Sequence, residues 1–164
     1  MRVEPLRVEW IEALVEGDAT FVERFGIAVA EGWAGFPEVL PHALDAARNH
    51  DADPWGSQLF FDDDGALVGF GGFKGPPTDG EVEIGYAIAP ARQGRGLATA
   101  AARTLIDRAR DRGVGWVVAH TLATPNPSTG VLAHCGFVRT ATVADPDGGV
   151  DEDVWRWELE LRDP

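Results

Sequence analysis

Apolar and polar residues alternate with a period of two over several short stretches, and longer stretches between them repeat every three to four residues, so strands and helices interleave along the chain. From the N-terminus, Val3 to Trp10 reads as a first strand, with Val8 and Trp10 on one face and Arg7 and Glu9 on the other. Gly17-Asp18 places Asp18 to cap a helix running toward Arg24, and a second helix spans about Leu40 to Asn49 around Pro41. Gln58 to Phe61 and Leu67 to Phe73 are apolar, aromatic-rich strands, and the turn Asp62-Asp63-Asp64-Gly65 joins them as an antiparallel hairpin. A second turn over Gly75 to Gly80 leads into a strand in which Val82, Ile84, Tyr86 and Ile88 share one face and Glu81, Glu83, Gly85 and Ala87 the other.

Pro90 ends that strand because it lacks the ladder N–H, and Ala91 to Leu97 form a Gly-rich turn into a helix. The helix runs from Leu97 to about Arg112, with Leu97, Ala101, Leu105 and Ala109 along one stripe, and Gly113 stops it. Trp116 to Leu122 is a buried strand. Strand, crossover helix and strand make a βαβ unit, so the two strands are expected to be parallel neighbours. Asn126 caps a short helix, Ser128 to His134, with Pro127 at its first position. Phe137 to Val143 and Trp155 to Leu161 then form a final antiparallel pair around the loop Asp145 to Gly149.

Composition narrows the function. The 164 residues, 45% of them hydrophobic, are expected to fold as one domain over 1–164. No apolar run is long enough to span a bilayer, and the opening MRVEPLRVEW lacks the features of a secretory signal, so a soluble cytoplasmic protein with no membrane partner is expected. Cys135 is the single cysteine, and His42, His50, His120 and His134 lie far apart without ligand spacing, so no metal is expected. Lys and Arg number 14 against 27 Asp and Glu, and a net charge of -13 argues against a nucleic-acid partner and favours a cationic or amine-bearing one.

The chemistry centres on Arg92-Gln93-Gly94-Arg95-Gly96-Leu97-Ala98. Gly94 and Gly96 let the backbone turn sharply, and the free N–H groups of the new helix point into the turn, so the segment is built to receive an anion. The spacing is neither the dinucleotide fingerprint nor a P-loop, which removes phosphoryl transfer and leaves a pyrophosphate held by backbone amides. Gln93, Gly96 and Ala98, after a strand ending Ile88-Ala89-Pro90, resemble the signature turn of the GNAT superfamily of N-acetyltransferases. Asn126-Pro127-Ser128 with the following helix and Gly136-Phe137 resembles the family's later segment. The stretch from 58 to 161 is similar to the family throughout, and the later segment looks like the ribosomal-protein alanine N-acetyltransferase branch, whose members also modify small amines and antibiotics.

The resemblance implies an α/β fold (α+β in some schemes). Its mixed, strongly twisted sheet has two central parallel strands that splay apart, with helices flanking. Acetyl-coenzyme A would sit in the opening. Amides of Gly94, Arg95, Gly96, Leu97 and Ala98, with Gln93 in the signature, would hold the pyrophosphate, and Arg92 or Arg95 would add charge. Backbone groups around Ile88 would pair with the pantetheine arm, and Asn126 would face the cofactor from the other strand. The implied reaction is direct attack of a primary amine, on a small molecule or a peptide N-terminus, on the thioester. Such an amine must lose a proton, and Glu83, with Glu81 as rival, is the candidate acceptor. Where some members carry a tyrosine acid this chain has Leu132, which leaves Ser128, a water, or no acid for the leaving thiolate. Cys135, at the end of an apolar helix, reads as packing, and Trp33, Phe36 and Trp55 are expected near the acceptor cleft. A coenzyme A-binding protein without catalysis, an acidic protein-interaction module, and a monomer or homodimer all stay open.

Overall fold

The first strand is shorter than alternation predicts. In the computed structural model, which describes residues 1–162, β1 covers Arg2–Pro5 and the chain turns at once into α1, Val8–Glu16. Pro5 ends the ladder, and the Asp51 carboxylate accepts the Val8 N–H at 2.8 Å, satisfying a donor that the new helix cannot. Trp10, Ile11 and Leu14 then fall on one buried helical face, so the apparent alternation of Val8 and Trp10 belongs to a helix. The Arg7 guanidinium lies over the Trp10 ring at 4.5 Å.

The second helix, α2 (Asp18–Phe25), is capped by Gly17 rather than by Asp18. Asp18 is the first helical residue, and its carboxylate accepts the Trp33 indole N–H at 3.0 Å. A single turn of 3₁₀ helix at Pro37–Val39 feeds α3, Leu40–Asn49. The hairpin of β2 (Ser57–Phe61) and β3 (Leu67–Phe73) forms as read, and Asp62 closes its turn by accepting the N–H groups of Asp64 and Ala66 at 3.0 Å each. The central unit follows with β4 (Glu81–Ile88), α4 (Leu97–Asp111) and β5 (Trp116–Leu122). Last come α5 (Pro127–His134), β6 (Val138–Ala144) and β7 (Asp153–Glu160).

The seven strands make one mixed sheet in the order β1-β2-β3-β4-β5-β7-β6, and β4 against β5 is the parallel step. Both faces carry a core. Leu59 and Phe61 of β2 pack with α1, α2 and α3, while Phe60 between them packs with α4 and α5, so the helices lie on opposite sides. On β4, Val82, Ile84 and Ile88 join the α4 core. Glu81 and Glu83 therefore face the α1 to α3 side, where β4, β5 and β7 carry charged side chains.

Candidate active site at the parting of the central strands

The parallel ladder between β4 and β5 is short: Glu81, Val82 and Glu83 pair with Trp116, Val117 and Val118, and among the described residues no pairing continues beyond. From Ile84 to Ile88 the β4 edge that would face β5 has no strand partner among the described residues, although its other edge stays paired to β3. On the far side, β5 stays paired to β7 along its full length. The central strands thus part after Glu83, and unpaired backbone lines the gap.

Past the end of β4 the chain makes a 3₁₀ turn at Pro90–Arg92 and enters α4. The Gln93 side-chain amide donates to the Ile88 carbonyl at 3.0 Å, which clips the turn to the strand. Arg92 points the other way and pairs with Asp62 in the β2–β3 turn. Of the two arginines read as phosphate partners, Arg92 is thus engaged within the protein, while Arg95 lies on the exposed turn. Gly94 and Gly96 both sit at φ +76°, the left-handed region where glycine avoids the Cβ penalty. Among the described residues, no backbone carbonyl or side chain accepts the N–H groups of Gly94, Arg95, Gly96, Leu97, Ala98 or Thr99, and Gly96 as N-cap has no side chain to do so. A Cβ built at Gly94 or Gly96 would meet nothing within 4 Å. The turn therefore presents unbonded donors over open space at the positive end of a fifteen-residue helix, an arrangement suited to a diphosphate.

Across the gap, Asn126 accepts the Thr129 N–H at 3.1 Å and Thr129 reaches back to the Asn126 N–H at 3.1 Å, a reciprocal cap that starts α5. The Asn126 amide also donates to the Thr124 carbonyl at 2.8 Å, so this side chain is occupied in shaping the loop. Ser128 is half-buried in the first turn of α5, and its carbonyl accepts the Tyr86 hydroxyl from β4 at 3.4 Å. Burial pushes the Tyr86 hydroxyl up to about 12, so it remains a neutral donor at physiological pH. Leu132 is fully buried. Cys135 packs against the core, and burial raises its thiol above the ordinary range, which makes it a poor nucleophile.

Glu83 is not a free carboxylate. Lys74 follows β3 and is Glu83's neighbour across the β3–β4 ladder, its backbone N–H donating to the Glu83 carbonyl at 2.9 Å. The Lys74 ammonium lies 2.9 Å from Glu83 Oε1 and also pairs with Asp147 from the β6–β7 loop. Burial opposes the Lys74 charge, but the bonds to Asp147 and Glu83 outweigh it and hold the ammonium above its usual range. From the other side His120 Nδ1 lies 2.8 Å from the same Oε1. Glu81, the rival, is paired with Arg156 at 2.9 Å, and Arg156 also holds Glu158. A cavity of about 310 Å³ opens beside this row, lined by Lys74, Thr78, Asp79, Glu81 and Glu83 among others.

The sequence did not single out Lys74 or give His120 an orientation. Counting outward from the turn at Gly75–Gly80 would set Lys74 opposite Glu81, and only the observed β3–β4 register, Phe73 against Ile84, brings it to Glu83. Counting two residues on from Val118 sets His120 on Glu83's face, once the β4–β5 register is known. The aromatic residues expected near the cleft divide. Trp33 is buried against Phe70, Trp55 stacks edge-on against Phe73 at 5.0 Å, and Phe36 is 66% exposed. Gly35, next to Phe36, lies so close to β4 that an added Cβ would come within 2.7 Å of Ala87 Cβ, so this loop roofs the end of the strand.

Among the described residues no helix is long and apolar enough to cross a membrane, and no group of three or more potential metal-binding side chains comes together. The fold is shared with solved acetyltransferases. A spermidine N-acetyltransferase SpeG chimera from Vibrio cholerae and hSSAT superposes with a TM-score of 0.70 at 15% identity, over 98% of this chain and 96% of that one. A ribosomal-protein-alanine N-acetyltransferase from Brucella melitensis gives 0.68 at 18% identity, over 98% and 99%. The acetyltransferase yncA from Salmonella typhimurium, solved with its cofactor acetyl-CoA, gives 0.67 at 20% identity, over 99% and 95%. The family model described as the acetyltransferase (GNAT) domain matches residues 2–138, and the chain belongs to that family.

Proposed function

We propose that the protein transfers an acetyl group from acetyl-coenzyme A to a primary amine in a ternary complex. The observation that carries this reading is the run of unbonded amides from Gly94 to Thr99 at the mouth of the parted strands. Gly94, Arg95, Gly96, Leu97 and Ala98 would hold the pyrophosphate, with Arg95 free to add charge. The turn is fixed from behind by Gln93 on Ile88 and by Arg92 on Asp62, which makes these two positioning residues. The open β4 edge up to Ile88 would pair with the pantetheine arm, as one strand pairs with another, and Asn126 shapes the opposite wall.

When bound, acetyl-coenzyme A supplies an activated acyl group and a thiolate leaving group. The chain's task is to orient the amine and take up its proton. The proton acceptor is built on Glu83, which stands where the strands part. Ser128, in the first turn of α5, is the candidate donor toward the sulfur. The acceptor is an amine-bearing small molecule or a peptide N-terminus. Ser128 together with Leu132, and the likeness to the Brucella melitensis enzyme, favour the ribosomal-protein alanine acetyltransferase branch, and the carboxylates Asp79, Glu81 and Glu83 around the cavity favour a cationic amine.

Thiol release measured with acetyl-coenzyme A and a panel of polyamines, amino acids and N-terminal peptides tests the reading. Turnover with at least one amine is expected, and Glu83→Gln should lower it at least ~10-fold while calorimetric binding of acetyl-coenzyme A is retained. Absence of acetyl-coenzyme A binding by the unaltered protein would dismiss both the enzyme and its non-catalytic coenzyme A-binding relative.

A further inference from the structure

Glu83 Oε1 receives two donors at once, Lys74 Nζ at 2.9 Å and His120 Nδ1 at 2.8 Å. Both donors converge on that one oxygen, which ties the carboxylate to the ring and to the Lys74 ammonium, itself held by Asp147 as well. With Nδ1–H donating to the carboxylate, Nε2 carries the lone pair on the far side of the ring. His120 stands two residues beyond the last β4–β5 pair, at the apex of the gap, and its side chain is only 10% exposed. From the geometry we infer that His120 Nε2 is the atom that takes the proton from the acceptor amine, and that Glu83 is the positioning residue that fixes the ring's tautomer and stabilises the imidazolium.

This rests on the transferase reading. The entering ammonium gives one proton to Nε2 and becomes a neutral amine. Its nitrogen lone pair forms the C–N bond, and the C–S pair leaves with sulfur. The second nitrogen proton passes to the thiolate, and the imidazolium returns its proton to solvent. The groups around the ring suit a cation that appears and disappears. Glu83 and Glu81 face it from β4, Lys74 from the end of β3, Asp147 from the β6–β7 loop, and Arg156 with Glu158 from β7, where Arg156 is His120's cross-strand partner. Each of the two permanent cations is bound by two carboxylates, so neither is left free to repel an imidazolium.

Profiles of kcat/KM against pH for the unaltered protein, His120→Ala, His120→Gln and Glu83→Gln test the assignment. For the unaltered protein, activity should fall as pH drops and the ring becomes protonated. His120→Ala should lose at least ~100-fold in kcat/KM, lose that acidic limb, keep its affinity for acetyl-coenzyme A, and be partly rescued by added imidazole. Glu83→Gln should lower kcat/KM yet retain an acidic limb, because the proton-accepting ring is still present. His120→Gln, which keeps a side-chain amide to meet Glu83, gives the same comparison without rescue if the alanine variant does not fold. An active unaltered protein whose His120 variants keep the acidic limb, with Glu83→Gln abolishing it, would overturn the assignment and leave the transferase standing. No turnover of any amine by the unaltered protein would instead remove the reading beneath it.

Discussion

At the scale of single residues, burial and partner geometry decide which groups are available for chemistry. Tyr86 is the only tyrosine in the chain, so alkaline titration followed by phenolate absorbance reports on it alone. Burial favours its neutral form, and the midpoint is expected near about 12 rather than the ordinary 10.0. A raised folded-state value means that the stabilisation is complete below pH 10 and is lost as pH climbs toward 12, so stability should decline over that window. A midpoint at the ordinary value would show that the ring is not enclosed between β4 and α5. Strand parity put Glu81 and Glu83 alike on the face opposite Val82 and Ile84, and Glu83 was singled out by its place on the strand leading to the turn and its resemblance to the acidic residue of the family there. Its partners were not, because Lys74 and His120 lie 9 and 37 positions away and meet it only through two strand registers. Asn126 could be read as a helix cap from Asn-Pro alone, and the structure gives it that role through Thr129.

At the scale of elements, the βαβ unit was legible because three signals agree on it: alternation up to Ile88, the breaking proline at 90, and the apolar stripe of α4 ending at Gly113. The first sixteen residues were misread for an equally physical reason. Val8 and Trp10 are compatible with both a strand face and one flank of a helix, and the deciding contact, Asp51 on the Val8 N–H, comes from a loop 43 positions away. The Gly-rich turn before α4 depends on another distant element, since Asp62 closes the β2–β3 turn and also holds Arg92. Asp62→Ala should therefore destabilise the fold by ~1–3 kcal/mol, as expected for a carboxylate that accepts several bonds in a part-buried setting. It should also weaken acetyl-coenzyme A binding, although Asp62 would not touch the cofactor. Thermal denaturation and calorimetry on the same variant check the two effects, and unchanged binding would mean that Gln93 on Ile88 alone suffices to hold the turn.

At the scale of the whole molecule, two cores on opposite faces hold a sheet that is continuous except at its centre. Helices α1 to α3 cover β1 to β3, and α4 with α5 covers β4, β5 and β7, which leaves the charged row from Lys74 to Arg156 on a face open to an acceptor. The parting of β4 from β5 could not be read from periodicity, since the apolar alternation of β4 runs on to Ile88, past the point where pairing stops. It was expected only through the family resemblance of the Gln93 turn and the Asn126 segment. The gap opens along β4 and the unbonded amides lie in the turn that follows the same strand, and the functional account depends on that succession. Amide chemical shifts of isotope-labelled protein, followed by NMR during titration with acetyl-coenzyme A, test it most directly. The account predicts saturable binding with the largest displacements at Gly94 to Thr99 and along β4 from Ile84 to Ile88; saturable binding that leaves those amides unmoved while others shift would contradict it.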